Sequence, residues 1–160
     1  MVVITIVLAA LVLAMIWMLP SLTWDTGGVP AIFKITRISH IDDTTGLLDY
    51  DSYMVLVNAG TSGYQNRNLF AKTYVNDIQV DSRISTLNAD AFCHSVHTGV
   101  ERIGGLGSRG SMLDTNAQWY PGQHLWIDYS HDTFHPGDTV KFEVYDTTTN
   151  QIISRHEYNA

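Results

Sequence analysis

The sequence of 160 residues contains few charged side chains and almost no cysteine. Charged residues make up 16% of the chain, and 9 Lys and Arg stand against 16 Asp and Glu, giving a formal net charge of -7. A nucleic-acid-binding protein needs clustered Lys and Arg to displace counterions, so we expect no nucleic-acid partner. The single cysteine, Cys93, excludes an intrachain disulfide and is typical of a small buried apolar side chain.

Several chemical motifs are also missing. The sequence has no Asn-x-Ser/Thr acceptor for N-glycosylation, no haem attachment motif and no Gly-x-Ser-x-Gly nucleophile motif. Residues 104–110, Gly-Gly-Leu-Gly-Ser-Arg-Gly, lack the Lys-Ser/Thr ending of a phosphate-binding loop, and we expect them to form a flexible loop. We therefore predict that the protein is not an enzyme and that it binds no cofactor.

Charge is absent altogether from the first part of the chain, where no charged residue precedes Asp25. Residues 1–19, MVVITIVLAALVLAMIWML, contain Thr5 as their only polar residue. A helix of this length spans about 30 Å, the thickness of the hydrocarbon core of a bilayer. Because it would be apolar on every side, it would need lipid or other apolar helices around it.

The apolar segment differs from a secretory signal peptide. It has no basic start and no small-residue cleavage site, and its apolar run is longer than the usual 7–15 residues. A retained anchor fits the length, but anchors usually carry flanking Lys or Arg on the cytoplasmic side, and none is present. We therefore expect that residues precede Met1 in the native chain or that the chain has been processed.

The rest of the chain alternates strands and turns. Residues 31–41, 53–58, 69–80, 139–145 and 151–158 are rich in β-branched and aromatic residues and are predicted strands. Alternation predicts that Val140, Phe142 and Val144 face inward, with Lys141 and Glu143 outward. One further strand has a predicted inward set of Leu125, Ile127 and Tyr129.

These patterns give a fold class of α+β by parts. We predict a long hydrophobic N-terminal α-helix over residues 1–24, a linker over 25–30, and an all-β antiparallel immunoglobulin-like sandwich over 31–160. Small residues allow apolar helices to pack closely, so this helix is suited to assembly in a bundle of helices, in or out of a membrane. The residues assigned to that assembly are Val2, Val3, Ile4, Ile6, Val7, Leu8, Ala9, Ala10, Leu11, Leu13, Ala14, Ile16 and Trp17.

Three groups of polar residues could form a metal site, a calcium site or an acid–base pair. For each group we favour the alternative that its members are solvated loop residues. A metal site would need four ligands at fixed geometry, and a calcium loop would need a closing glutamate. Acid–base chemistry at a His-Asp pair would need an accompanying nucleophile motif. We predict no metal site; the three groups are Cys93, His94 and His97; Asp42, Asp43, Asp49 and Asp51; and His131, Asp132 and His135.

Residues 1–14, Met-Val-Val-Ile-Thr-Ile-Val-Leu-Ala-Ala-Leu-Val-Leu-Ala, resemble the N-terminal helix of archaeal type IV pilins. Residues 119–123 (Trp-Tyr-Pro-Gly-Gln), residues 135–140 (His-Pro-Gly-Asp-Thr-Val), Asp146, Ile152 and Ile153 resemble the end of that family's β domain. The Ser-Pro-Val-Ile-Gly-Val-like stretch that opens the family's helix is absent, so we expect the chain to begin inside that helix.

This resemblance implies a structural subunit of an extracellular archaeal type IV pilus-like filament, used for adhesion or surface attachment. It implies a homo-oligomer of many copies, insertion in the cytoplasmic membrane before assembly, and the prepilin peptidase and pilus assembly machinery as partners. Two alternatives stay open: a singly anchored cell-surface β-sandwich that binds a ligand, and an archaellin-type motility subunit.

Overall fold

The structure is a computed structural model that describes residues 28–41, 45–88, 97–106 and 118–160. Within these ranges the chain forms twelve strands and one 3₁₀ turn, Asn66–Asn68. In chain order the strands are β1 (Phe33–Ile41), β2 (Leu48–Asn58), β3 (Tyr64–Gln65), β4 (Leu69–Val75), β5 (Ile78–Gln79), β6 (Arg83–Ile84), β7 (His97–Thr98), β8 (Val100–Leu106), β9 (Gln118–Trp119), β10 (His124–Tyr129), β11 (Thr139–Asp146) and β12 (Ile152–Asn159).

The α+β class predicted from the sequence is wrong for this structure, because the described residues contain strands and a 3₁₀ turn but no α-helix. That class depended on an apolar helix assigned to residues 1–24, which lie outside the described ranges. Among the described residues, no helix has the length and apolar character that crossing a membrane requires. Most described strands, such as β10 and β11, have apolar residues at every second position, the period of a strand. The central strand β2 is apolar at consecutive positions 53–57, because both of its faces are covered.

Two antiparallel sheets face each other across the core. The front sheet has the order β1-β2-β10-β8, and the back sheet has the order β12-β11-β4-β6-β7, with β5 paired to β4. The short strands β3 and β9 pair separately. In the front sheet β2 and β10 are central, so both of their edges are hydrogen-bonded to neighbouring strands.

The inward faces predicted for the last strands are confirmed. Residues of β10 and β11 alternate between the core and the outer surface, as a pleated strand requires. The fully buried members of this alternation are Leu125, Ile127, Tyr129, Val140, Phe142 and Val144. Glu143 points outward as predicted, yet it is only 4% exposed because neighbouring side chains cover it.

One polar contact crosses the core between the two sheets. The hydroxyl groups of Tyr129 on β10 and Thr73 on β4 are 2.5 Å apart. Burial raises the pKa of the Tyr129 hydroxyl strongly, and the hydrogen bond to Thr73 acts in the opposite direction. The pair therefore stays neutral and satisfies both buried hydroxyls, which would otherwise each destabilise the fold.

Side chains join the two sheets along one seam, where β1 runs beside β12. The buried Ser154 hydroxyl accepts a hydrogen bond from the Phe33 N–H at 2.9 Å. Two residues further along, Nδ1 of His156 accepts from the Ile35 N–H at 3.1 Å. The edge strand β1 thus satisfies two backbone donors without a continuous ladder to β12.

The chain enters and leaves the sandwich toward opposite ends. On the entry side, the Pro30 carbonyl accepts a hydrogen bond from the Arg155 N–H. At the other end, the C-terminal Ala160 exchanges backbone hydrogen bonds with Gly137 and Asp138. Because β12 is extended between Arg155 and Ala160, these two points lie about 17 Å apart.

Two sequence predictions need local correction. The strand predicted over residues 69–80 is interrupted at Asn76 and Asp77, whose φ values of 51° and 67° make a tight turn between β4 and β5. The loop predicted over residues 104–110 is wrong for 104–106, which belong to β8, and residues 107–110 lie outside the described ranges. Gly104 fits in a strand because the side chain of Trp126, on the neighbouring strand β10, occupies its outer side.

Candidate functional site

The outer face of the front sheet carries an aromatic centre with basic side chains around it. Cross-strand partners project to the same face of a sheet, and the residues that alternate with the core positions therefore share the outer surface. We call this surface the Trp126 face; its residues are Lys34, Arg37, Tyr53, Val55, Val57, Arg102, Gly104, His124, Trp126 and Asp128.

The middle row of the Trp126 face crosses all four strands. Arg37 pairs with Val55, Val55 pairs with Trp126, and Trp126 pairs with Gly104. Val55 is only 5% exposed although it points away from the core. The outward side chains beside it therefore form a packed layer that covers it.

Gly104 allows the indole of Trp126 to lie against the main chain of β8. A Cβ atom added to Gly104 would be 2.3 Å from Cζ2 and 2.5 Å from Cε2 of Trp126. These distances are far inside van der Waals contact, so the ring occupies the space of a side chain at position 104. The half-buried indole is thus fixed at the centre of the face.

Tyr53 extends the aromatic layer along the sheet. Its ring is stacked with the Trp126 ring, with centroids 5.6 Å apart and planes inclined by 23°. Such offset stacking is a favourable arrangement of two aromatic rings. The two half-buried rings therefore present one amphipathic surface to solvent rather than two separate side chains.

The basic side chains of the Trp126 face are exposed. Lys34 and Arg37 lie on β1 and Arg102 lies on β8, on the two opposite sides of the aromatic pair. None of the three forms an ion pair with another described residue. The face also carries one acidic residue, Asp128, which pairs in register with Arg102. With three cations against one carboxylate, the face is locally positive in a chain with a net charge of -7 and can attract an anion.

A second polar cluster lies at the end of the sandwich near the C-terminus. Nε2 of His135 is 2.8 Å from Asp132 Oδ1, and its Nδ1 is 3.6 Å from Asp138 Oδ2. The His135 N–H also donates to Asp138 Oδ2 at 2.8 Å. Burial opposes the ionisation of Asp138, but hydrogen bonds from His135 and Asn76 outweigh it and lower its pKa.

These contacts explain the cluster as a structural turn. Asp138 receives the Asn76 amide at 2.8 Å and so ties the β4–β5 turn to the start of β11. The predicted group of His131, Asp132 and His135 is therefore only partly brought together, since His135 binds two carboxylates within its own turn. Among the described residues, no three His, Cys, Asp or Glu side chains are grouped so that they could hold a metal ion.

The other predicted site residues are mostly outside the described ranges. This applies to Cys93, His94, Asp42 and Asp43, while Asp49 and Asp51 belong to strand β2 rather than to a turn. His97 lies in β7, where burial lowers its pKa and a backbone hydrogen bond with Arg83 opposes that shift. The assembly residues also lie outside: Val2, Val3, Ile4, Ile6, Val7, Leu8, Ala9, Ala10, Leu11, Leu13, Ala14, Ile16 and Trp17.

The sequence-based reasoning missed the Trp126 face. The sequence does indicate one member of the face: if Leu125, Ile127 and Tyr129 point inward, Trp126 must point outward. The pairing of Trp126 with Gly104 could not be predicted from the neighbouring sequence, because the pattern of residues 104–110 predicts a loop. Which residues share the face depends on strand order, which the sequence pattern does not reveal.

The chain matches no family model and no curated protein. Solved structures similar to it include the archaellum periplasmic stator protein FlaG from Sulfolobus acidocaldarius, at 8% identity and a TM-score of 0.41, covering 79% of this chain and 95% of that one. A complex of the stator proteins FlaF and FlaG from the same organism gives 9% identity, a TM-score of 0.42, and coverage of 86% and 95%. At these values the likeness establishes neither a common fold nor a common function.

Proposed function

We propose that this protein is a structural subunit of an archaeal cell-surface filament, with the sandwich as its exposed head and a role in adhesion. The observation that carries the proposal is the joining of an uncharged apolar segment, residues 1–19, to one end of a β-sandwich. The resemblance of that segment to archaeal type IV pilins supports a filament over other assemblies.

The physical chemistry of the apolar segment favours self-association. Nineteen residues with Thr5 as the only polar side chain are unfavourable in water, and burial of apolar area contributes about 25 cal/mol per Å². Lipid satisfies such a segment before assembly, and identical neighbouring segments satisfy it afterwards. The same residues can therefore serve first as an anchor and then as the contact between copies.

The geometry of the head suits this arrangement. The chain enters through Pro30 beside Arg155, and the C-terminal Ala160 lies toward the opposite end. A neighbouring copy joined through the apolar segment would therefore meet the entry end first. The end of the sandwich at Ala160 lies away from that junction.

Because the proposed contact between copies, residues 1–19, contains no charged residue, a charge substitution within it is the sharpest test of assembly. Replacing Ala10 or Leu13 with Asp is expected to abolish filaments, because burying an unpaired carboxylate costs at least several kcal/mol. Electron microscopy of purified surface filaments, with mass spectrometry of the subunit, provides the readout. Asn159→Asp adds the same charge at an exposed position of β12 and should assemble normally.

Two results would contradict the filament proposal. Normal filaments from the Ala10→Asp variant would show that the apolar segment is not the contact between copies. Recovery of the native protein only as a detergent-soluble monomer would instead favour the second candidate, a singly anchored surface protein that binds a ligand. That candidate is favoured by the Trp126 face, where two half-buried aromatic rings lie between exposed basic side chains.

A further inference from the structure

We propose that the Trp126 face binds an acidic polysaccharide, with sugar rings against Trp126 and Tyr53 and carboxylates against Lys34, Arg37 and Arg102. The inference gives the adhesion role a ligand class, but it rests on the geometry of the front sheet. It applies equally to an assembled subunit and to a single anchored copy.

The backbone of the face excludes recognition by strand addition. A peptide that extends a sheet needs unpaired N–H and C=O groups at a strand edge. At the centre of the Trp126 face, β2 and β10 are hydrogen-bonded on both edges. A ligand seated there meets only side chains, so it must be recognised through aromatic rings and charges.

The aromatic pair supplies the first half of this recognition. Aromatic faces carry negative potential and attract the weakly positive C–H groups of a sugar ring while covering its apolar side. Because the Trp126 indole lies against Gly104 and is stacked with Tyr53, the rings are held in place before a ligand arrives. A preorganised surface loses less side-chain entropy on binding.

The basic residues supply the second half. Arg binds carboxylates with paired hydrogen bonds, and Lys attracts them as a point charge. Arg37 on β1 and Arg102 on β8 are three strand spacings apart across the sheet and two residues apart along it. Their backbones are therefore about 16 Å apart, with the aromatic pair between them. A ligand that meets both cations must extend across several sugar units, which indicates a polymer rather than a single sugar.

Charge complementarity selects an acidic polymer. The chain as a whole has a net charge of -7 and repels polyanions, whereas the Trp126 face carries three cations against the single carboxylate of Asp128 and can attract them. Three exposed cations are few for a nucleic-acid surface, which normally follows a phosphate backbone with many more. We therefore favour a polyuronate over single-stranded nucleic acid.

The test measures the dissociation constant of the full-length protein in detergent micelles for polygalacturonate, with dextran as a neutral polymer and poly(dT) as a nucleic acid. Binding to polygalacturonate should exceed binding to either of the other two. Trp126→Ala should weaken it by at least about tenfold, and Arg37→Gln or Arg102→Gln by about threefold to fivefold each. Added salt should weaken the complex further.

Matched control variants distinguish binding at this face from non-specific binding of the polymer elsewhere on the protein. Tyr120 is an exposed aromatic residue at 52%, and Lys72 is a cation on the back sheet, so Tyr120→Ala and Lys72→Gln should leave the dissociation constant unchanged. Gly104→Ala retains every ligand-binding side chain but displaces the indole, so it should weaken binding and alter tryptophan fluorescence. If Trp126→Ala does not fold, Gly104→Ala and Arg102→Gln still decide the question.

Three outcomes would overturn the inference. Binding that is unchanged in both Trp126→Ala and Gly104→Ala would show that the face is not the site. Tighter binding to poly(dT) than to polygalacturonate would assign the face to nucleic acid. Self-association that depends on Trp126 in the absence of polysaccharide would assign it to a second copy of this chain.

Discussion

The outer faces of the two sheets contain the same kinds of side chain but use them differently. On the back sheet, Lys141 pairs with Asp77 at 2.6 Å, and Arg155 pairs with Glu143 at 2.7 Å. On the Trp126 face, the corresponding cations form no ion pair with another described residue. Basic and aromatic residues alone therefore do not identify a binding surface, because it matters whether their charges are already satisfied within the protein.

Aromatic contacts show the same contrast. On the back sheet, Phe70 and Tyr145 stack with centroids 4.8 Å apart, and the Lys72 ammonium lies 5.0 Å from the Tyr145 ring centroid. The cation and the ring are thus partners of each other. On the Trp126 face the Tyr53 and Trp126 rings stack on each other, and the exposed cations form no ion pair with another described residue.

The largest effect on stability should come from removing Glu143, which accepts hydrogen bonds from Tyr145 and Arg155 on the back sheet. Burial opposes ionisation of Glu143, but hydrogen bonds from Tyr145 and Arg155 outweigh it and lower its pKa. Glu143→Ala removes the partner of both groups and should reduce the free energy of unfolding by about 1–3 kcal/mol. Denaturant unfolding of the full chain in mild detergent measures this loss, and an unchanged midpoint would show that the network is dispensable.

A somewhat smaller effect is expected at the seam that connects the two faces. Ser154→Ala leaves the buried Phe33 N–H without its acceptor and should cost about 1–2 kcal/mol. Hydrogen exchange at Phe33 should also accelerate in this variant, whereas exchange at the centre of β10 should not. Equal acceleration at both sites would mean that the loss is global rather than confined to the seam.

The pH dependence of stability should be smaller again. Burial, followed by the nearby charge of Lys34, lowers the pKa of His156 from its ordinary 6.5, while Glu157 opposes the shift. The unfolded chain therefore binds the proton more readily, and stability should fall as the pH drops below about 6.5 toward the folded pKa. His156→Gln should flatten this dependence in thermal unfolding, but leave the contribution of His97, which has the same sign.

The smallest effect should come from the unpaired cations. Arg37→Gln and Arg102→Gln remove no ion pair among the described residues, so each should change the free energy of unfolding by less than about 0.5 kcal/mol. Arg155→Gln on the back sheet is the matched comparison and should be clearly destabilising, because it removes the cation that is hydrogen-bonded to the buried carboxylate of Glu143. Similar losses in all three variants would remove the distinction between the faces.

Much of the strand pattern could be predicted from the sequence, but the relation between strands could not. Alternation predicted that Val140 and Phe142 are buried, because that pattern needs only neighbours along one strand. The burial of Glu143 depends on Tyr145 and on Arg155 from the next strand. The sequence pattern places Gly104 in a loop, because the packing of the Trp126 ring against this glycine follows only from the pairing of β8 with β10.

The sequence by itself determines the apolar, uncharged residues 1–19, the net charge of -7, and the alternating strands that must bury one face. These follow from composition and from the two-residue period of a strand. Only the tertiary structure decides that Trp126 rests on Gly104 between cations from two other strands. Strand order sets these neighbours, and charges satisfied by distant partners distinguish the back sheet from the Trp126 face.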